Sequence, residues 1–369
     1  MAGKIILLIY LTRKTESMVM TAENRIWSDP AWVTYITPFR LIVPDGEVPI
    51  ESSLDEINGN TYNHGKLSKI VGTLPLGKQD LKDLKILLCY DGGIALPRYK
   101  SLSQKEDAVL LFNKILCNFL VGGIYCEAVD VRDVVCGQLY KKEFIWPVDY
   151  GGSASSQLHA SLRTKVASLL QAAELIKPRA IFVSDIRKAF NIGEQITSII
   201  NNLTPQFLIR GATELQNKNW SSAISMLWTC VEQMSEFLWE KKFIENCERH
   251  PKQPLSGRIK SFQNDNQSWP ISVKQEMLFQ TGIINDIIFS NIYPARQARN
   301  RLVHRGGYVD PDTVFNLFDG VCQMISLCSG IADLPMSNSA ALQSHPDQEG
   351  ESRSMEDNPF EQWLSHSKN

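Results

Sequence analysis

The segment from residue 293 to residue 307 holds the densest group of side chains that could act on a phosphate. Its sequence is YPARQARNRLVHRGG, and ten consecutive residues within it contain four arginines, one histidine and no acid. A guanidinium presents a planar fork to phosphate oxygens, and an imidazole can exchange a proton near neutral pH. The segment therefore predicts a site for a phosphodiester. Its charged members are Arg296, Arg299, Arg301, His304 and Arg305.

Helical spacing places the residues of this segment on two faces of a predicted helix. The apolar residues recur at i, i+3 and i+7, which marks a buried face: Ala295, Ala298 and Leu302. Arg296, Asn300 and His304 fall on nearly the opposite face. Arg299 lies five residues before His304, about 140° around an ideal helix. Its long side chain must therefore bend across to share a site with His304, which favours a cleft completed by another element or another subunit.

The elements that position this segment are expected to form a helical bundle. An apolar stripe over 223–238 predicts one long amphipathic helix. Three further helices are predicted, over 273–290, 293–305 and 310–331. Gly306-Gly307 separates the last two. Four helices with short connections indicate an antiparallel bundle.

The residues Arg299-Asn300-x-x-x-His304 resemble the R-x4-6-H motif of HEPN domains, including the polar residue after the arginine. The sequence LVHRG over 302–306 and the helix before it, which carries Glu232, resemble the Apea-like branch of that family. The resemblance covers roughly residues 207–334, about a third of the chain. We identify no resemblance in the first 200 residues.

The resemblance implies a metal-independent endoribonuclease that needs no cofactor and works as a homodimer, with two motifs facing one composite cleft. His304 is then a general base or acid on the ribose 2′-hydroxyl or the leaving 5′-oxygen, Arg299 binds the scissile phosphate, and Asn300 orients either partner. Attack by the 2′-hydroxyl leaves a cyclic phosphate and spares DNA, which lacks that group. Three further arginines are expected to contact the RNA: Arg296, Arg301 and Arg305. Such chains often serve as defence or toxin-like effectors.

Each of these residues also has an alternative role that involves no catalysis. His304 and Arg305 could complement the dipole at a helix C-terminus, and Arg296 and Arg301 could lie on a solvated face. Glu232 could support the site or be an exposed helix residue. The bundle as a whole could be a non-catalytic HEPN module that binds RNA or nucleotide, or that only mediates dimerisation. Three tryptophans near helical spacing are expected in the bundle core or at a dimer interface: Trp220, Trp228 and Trp239.

The first 150 residues predict a mixed α/β domain, which makes the whole chain α+β. Short apolar runs end in turn signals, a helix is predicted over 108–121, and strands are predicted over 124–129 and 134–140. The loops at Asp91-Gly92-Gly93 and Tyr150-Gly151-Gly152 could line a different active site or be plain turns. As a large unit without the motif, this domain is expected to sense an unknown trigger or to restrain a toxic nuclease.

The domain assignment has four parts. Residues 1–150 form the mixed α/β domain, 151–205 a helical connector, 206–334 the HEPN-like bundle and 335–369 a disordered acidic tail. An apolar island at 360–364 within the tail could fold back on the bundle or dock a partner.

Composition and missing motifs exclude several classes of protein. The net charge of −2 argues against coating nucleic acid through bulk charge. The chain has no phosphate-binding GxxxxGK[ST], no GxGxxG, no GxSxG and no HExxH, which disfavours an NTPase, a dinucleotide dehydrogenase, an α/β hydrolase and a zincin. The other five histidines, among them His159, have no metal-ligand spacing, and eight cysteines without a CxxC pair indicate buried thiols in a reducing compartment. Without a long apolar run the chain is expected to be cytoplasmic and to have no membrane partner.

Overall fold

The computed structural model describes residues 28–75, 85–98, 102–140, 143–147, 152–245 and 269–339. The chain divides into two compact units. The first contains the described residues up to Asn118 together with Cys126–Asn191, and the second contains Phe119–Tyr125 and the described residues from Ile192 onward. The first unit is mixed α/β and the second is helical, so the predicted α+β class is confirmed at that level.

A six-stranded antiparallel sheet organises the first unit. Its strands are β1 (Ser28–Tyr35), β3 (Ile70–Pro75), β4 (Lys85–Cys89), β5 (Gly93–Pro97), β6 (Val135–Tyr140) and β7 (Phe144–Pro147), in the order β3-β4-β5-β1-β6-β7. The two outer strands are also joined near their ends. The Ile70 N–H donates to the Glu143 carbonyl at 2.7 Å, and the Ile145 N–H donates to the Ser68 carbonyl at 3.1 Å. The sheet therefore partly closes on itself.

The described part of this unit also contains a parallel strand pair and six α-helices. Strand β2 (Leu41–Val43) pairs with β8 (Ala180–Phe182). The helices are α1 (Leu54–Asn58), α2 (His64–Leu67), α3 (Lys105–Val121), α4 (Ala154–Thr164), α5 (Leu169–Ala172) and α6 (Val183–Ile199), of which α3 and α6 continue into the second unit. Strand β8, α4 and α5 fall in the range 151–205 that we assigned to a helical connector, and they belong to the first unit.

The strand predicted over 124–129 is absent from the structure, where these described residues form no strand. The reason is a buried side chain on α3. The Asn113 amide accepts from the Val129 N–H at 2.9 Å and donates to the Val129 carbonyl at 2.8 Å. The Glu127 N–H donates to the Thr37 carbonyl at 2.9 Å. These contacts use backbone groups that a strand would need for pairing.

Six further helices belong to the second unit among the residues that the structure describes. They are α7 (Pro205–Gln216), α8 (Trp220–Trp239), α9 (Ile271–Gln280), α10 (Asp286–Arg305), α11 (Pro311–Ser329) and α12 (Met336–Ser339), and a π-helical turn, Glu240–Ile244, extends α8. Helix α8 lies at the centre and packs against α7, α9, α10 and α11. It is the long amphipathic helix that the apolar stripe predicts. Trp228 and Trp239 are buried on it, which confirms the core alternative for those two.

The break between α9 and α10 was predicted in the wrong place. A boundary was expected at 290–293, before Pro294, but the chain turns earlier, where Gly282 has a φ of +71° and Asn285 caps the next helix. Asn285 accepts a hydrogen bond from the Ile288 N–H at 2.9 Å. Pro294 lies inside α10 at an exposed position. Because proline has no N–H, the carbonyl four residues earlier loses its helical hydrogen bond, and it can bond to water instead.

Two further expectations concern burial and membranes. The seven described cysteines are free thiols, and all of them except Cys136 are buried, as the sequence predicts. None of the described helices is sufficiently long and apolar to span a bilayer. The apolar island at 360–364 and the rest of the predicted tail lie outside the described residues.

Candidate active site

Helix α10 carries the predicted site near its C-terminal end. The helix stops because Gly306 adopts φ +63°, a left-handed conformation that glycine allows, and its N–H donates to the Leu302 carbonyl at 2.9 Å. Ala295 and Ala298 are buried as the spacing predicts, with exposed fractions of 0% and 2%. Leu302 is only partly buried. The small alanines hold this helix against the bundle and turn its other face outward.

A glycine on the neighbouring helix fixes how closely α10 packs. A Cβ built at Gly320 of α11 would lie 2.9 Å from Ile292 Cγ2 and 3.2 Å from Asn291 Cβ. Real Cβ atoms essentially never come within 3.0 Å of another atom, so a larger residue at this position requires α10 or the Ile292 side chain to shift. Gly320 thus sets the position of the scaffold that presents the candidate residues.

The candidate catalytic side chains are accessible. Asn300 and His304 are exposed, and Arg299 is partly buried. Arg299 Nη1 donates to Oδ1 of the adjacent Asn300 at 3.3 Å. The structure therefore brings Arg299 and Asn300 together, while His304 makes no hydrogen bond with a described residue.

The charge around these side chains is uncompensated. Between Asp286 and Asp310 the chain contains no acidic residue. Among the described residues, no carboxylate lies within 4.0 Å of the basic group of His304 or of any of the four arginines. Arg301 and Arg305 are exposed, and Arg296 is partly buried. This end of α10 is therefore a positive surface that an anion could reach.

An aromatic row that the sequence interpretation missed leads to Arg296. The Arg296 guanidinium lies 4.8 Å from the centre of the Tyr293 ring, and Tyr293 stacks on Phe289 with ring centres 5.6 Å apart. Phe289 in turn stacks on Phe279 of α9 at 4.4 Å. The i, i+3 spacing of Tyr293 and Arg296 and the i, i+4 spacing of Phe289 and Tyr293 are the sequence signals that could have indicated the row. The row ends with the Arg296 guanidinium over the Tyr293 ring, which is 39% exposed.

Glu232 has a structural partner. Its Oε1 accepts from Trp228 Nε1 at 2.7 Å, and the side chain is partly buried on α8. Trp228 is only 1% exposed, so this bond satisfies the indole N–H inside the core. The structure gives Glu232 no described contact with Arg299, Asn300 or His304.

No cluster of three or more His, Cys, Asp or Glu side chains in the described part of the chain is arranged to hold a metal ion. Comparison of the chain with protein-family models, with curated proteins and with solved structures finds no match.

Proposed function

We propose that the helical unit is a metal-independent endoribonuclease of the HEPN type, with Arg299, Asn300 and His304 as its catalytic residues. The observation that supports the proposal most is the accessible end of α10, where Arg299 donates to Asn300 and no described acid neutralises the arginines. A guanidinium without a described carboxylate partner and an exposed imidazole on the same end of one helix are the kinds of group that phosphodiester cleavage uses.

The proposed reaction is an internal displacement on the RNA backbone. His304 removes the proton from a ribose 2′-hydroxyl, the 2′-oxygen forms a bond to phosphorus, and the bond from phosphorus to the 5′-oxygen breaks. The leaving 5′-oxygen takes a proton from the imidazolium of a second copy's site. The products are a 2′,3′-cyclic phosphate and a 5′-hydroxyl. Arg299 stabilises the charge that develops on the phosphoryl oxygens, and Asn300 holds Arg299 through the 3.3 Å hydrogen bond.

A homodimer fits the surface around this site. Val303 and Tyr308 flank His304 and are 56% and 77% exposed, so apolar groups lie open to solvent beside the basic ones. Packing a second copy on these residues would bury them and would bring two histidines to one phosphate. Arg296, Arg301 and Arg305 then serve as contacts to the flanking phosphates.

The decisive experiment measures cleavage of a mixed RNA pool by the purified protein in excess chelator. The wild type is expected to cut RNA and leave cyclic phosphate ends, and His304→Ala is expected to lose at least about 100-fold in rate. Gln297→Ala is the matched control, because Gln297 is exposed on the same helix and its amide side chain does not titrate. Specific activity should also fall on dilution, as the dimer dissociates.

Equal cleavage by the wild type and His304→Ala would assign the activity to another site or to a contaminant. Cleavage of DNA at a rate similar to that of RNA would also contradict the proposed 2′-hydroxyl attack.

The alternative is a module that binds RNA without cutting it. It is favoured by the absence of a described hydrogen-bond partner that would orient His304. In that case neither protein cleaves RNA, His304→Ala binds it almost as well as the wild type, and Arg299→Ala binds it less tightly.

A further inference from the structure

One stripe of side chains along α10 joins the aromatic row to the proposed catalytic residues. Its members follow one another at spacings of four, three, four and four residues: Phe289, Tyr293, Arg296, Asn300 and His304. These spacings place all five positions within about 80° of the helix circumference. A ligand that lies along this face of the helix can therefore meet aromatic rings at one end and the polar groups of the proposed site at the other.

The aromatic end of the stripe reaches the surface of the protein. Phe289 stacks on both Phe279 and Tyr293, with ring centres 4.4 and 5.6 Å apart and ring planes inclined by 16° and 30°. Tyr293, the last ring, is 39% exposed, and the Arg296 guanidinium carbon lies 4.8 Å from its centre. The row therefore ends in an accessible ring with a guanidinium over it.

The Arg296 guanidinium keeps its charge available to a ligand. Among the described residues, no carboxylate lies within 4.0 Å of it. A guanidinium stacks on flat rings through its face, while its N–H groups lie in its own plane and donate to phosphate oxygens. The group can therefore take part in a stack and hold a phosphate at the same time. A ligand that carries a flat ring and a phosphate close together matches both capacities.

A nucleotide of single-stranded RNA has both of these features. An unpaired base exposes its face, so it can stack on an aromatic ring or on a guanidinium plane. In a duplex the faces of the bases are covered by the neighbouring base pairs, and only phosphates and groove edges are accessible. A free phosphate would meet the charge of Arg296 but would make no use of the aromatic row.

We propose that Tyr293 and Arg296 form a base-stacking subsite, which selects single-stranded RNA and holds one unpaired base beside the phosphate that Arg299 binds. This subsite rests on the proposed function, because that function supplies RNA as the ligand. Arg296 lies three residues before Arg299, about 4.5 Å along the helix axis, so neighbouring groups of one strand can reach both. Because every base has a π face, the subsite discriminates between single and double strands rather than between sequences.

The test measures RNA binding by the full chain carrying His304→Ala, so that the proposed cleavage does not consume the probe. The probes are a short labelled single strand of mixed sequence, the same strand annealed into a duplex, and single strands that carry 2-aminopurine at successive positions. The fluorescence of this adenine analogue falls when it stacks. The single strand is expected to bind at least about tenfold more tightly than the duplex, and 2-aminopurine is expected to lose fluorescence on binding.

Variants in the same His304→Ala chain place the stacking at this subsite. Tyr293→Leu should weaken binding of the single strand at least about fivefold and restore the fluorescence of 2-aminopurine, whereas Tyr293→Phe keeps the ring and should bind like the parent. Arg296→Lys keeps the charge but loses the planar group, so it should weaken binding at least about fivefold without changing the slope of log affinity against log salt. Arg301→Lys is the matched control, because Arg301 is exposed and lies about 140° around the helix from Arg296.

Three results would overturn the proposal. They are equal binding of the single strand and the duplex, unchanged affinity in Tyr293→Leu, and equal losses of affinity in Arg296→Lys and Arg301→Lys. The cleavage assay separates this subsite from the proposed function. A protein that stacks unpaired bases but never cuts RNA retains the subsite and is not a nuclease, whereas a nuclease that binds both probes equally lacks the subsite. If no RNA binds at all, both proposals are wrong.

Discussion

Replacing Asp91 with asparagine should destabilise the first unit strongly. Asp91 and Arg163 form a buried pair with exposed fractions of 2% and 0%. Arg163 Nε donates to Asp91 Oδ2 at 2.6 Å, and Nη2 donates to Oδ1 at 2.7 Å, while Nη1 donates to the Ile145 carbonyl. Burial alone would raise the pKa of Asp91, but the attraction of Arg163 and the nearby His159 outweighs it and lowers the pKa to about 2.

The magnitude follows from what the substitution leaves behind. An asparagine in place of Asp91 would keep the size of the side chain, yet the Arg163 guanidinium would remain charged with no access to water. Losing one member of a buried ion pair costs about 3–5 kcal/mol, a large share of the roughly 5–15 kcal/mol that stabilises a typical domain. The control is Asp130→Asn, since Asp130 pairs at 2.9 Å with an arginine that is 77% exposed, and such pairs contribute less than about 1 kcal/mol.

Amide hydrogen exchange in β4 and β5 is the suitable assay, because it reports on the first unit even if the two units unfold separately. The free energy of opening should fall by about 3–5 kcal/mol in Asp91→Asn and by less than about 1 kcal/mol in Asp130→Asn. Replacing both partners, Asp91→Leu with Arg163→Met, should cost less than Asp91→Asn alone. Equal effects of the two asparagine substitutions would refute this reasoning.

The remaining predictions concern pH, packing and RNA affinity. Burial lowers the pKa of His159 in the folded protein. Below about pH 6.5 the histidine is therefore protonated in the unfolded chain but still neutral in the folded one. The free energy of unfolding then falls by up to about 1.4 kcal/mol for each unit by which the pH decreases. When the free energy of unfolding is measured with urea between about pH 7 and pH 5, His159→Gln should show a smaller dependence on pH than the wild type. The same dependence in both proteins would contradict this prediction. Gly320→Ala should cost about 1–3 kcal/mol, because its Cβ would lie 2.9 Å from Ile292, and a thermal melt that matches the wild type would exclude the close contact. Arg299→Ala should reduce the slope of log affinity against log salt for single-stranded RNA by about 0.7, whereas Arg132→Ala should leave it unchanged.

Secondary structure was predicted correctly where apolar side chains recur with a single helical period. Helix α8 repeats its apolar residues over 20 positions, and the structure buries that stripe. The burial of Ala295 and Ala298 was also predictable, because the angle between residues on a helix follows from their spacing. The bend of Arg299 towards His304 stays a prediction, because the described hydrogen bond of Arg299 is to the adjacent Asn300.

Prediction failed where a distant side chain decides the local structure. The 124–129 segment has a strand-like composition, but Asn113 takes the backbone groups of Val129. The group around Asp91 draws on Tyr35, His159 and Arg163, which are up to 128 residues apart, and only the i, i+4 spacing of His159 and Arg163 was visible in the sequence. The sequence also did not predict that Pro294 lies inside a helix, on its solvent-exposed side.

The two backbone hydrogen bonds that join the outer strands of the sheet limit how this unit can meet other proteins. A sheet with open edges offers rows of N–H and C=O groups to a strand from another molecule, which permits both peptide capture and edge-to-edge aggregation. Here the bonds at Ile70 and Ile145 occupy part of both edges. Strand addition at this end of the sheet is thereby disfavoured, and a partner that meets the unit here has to recognise side chains instead.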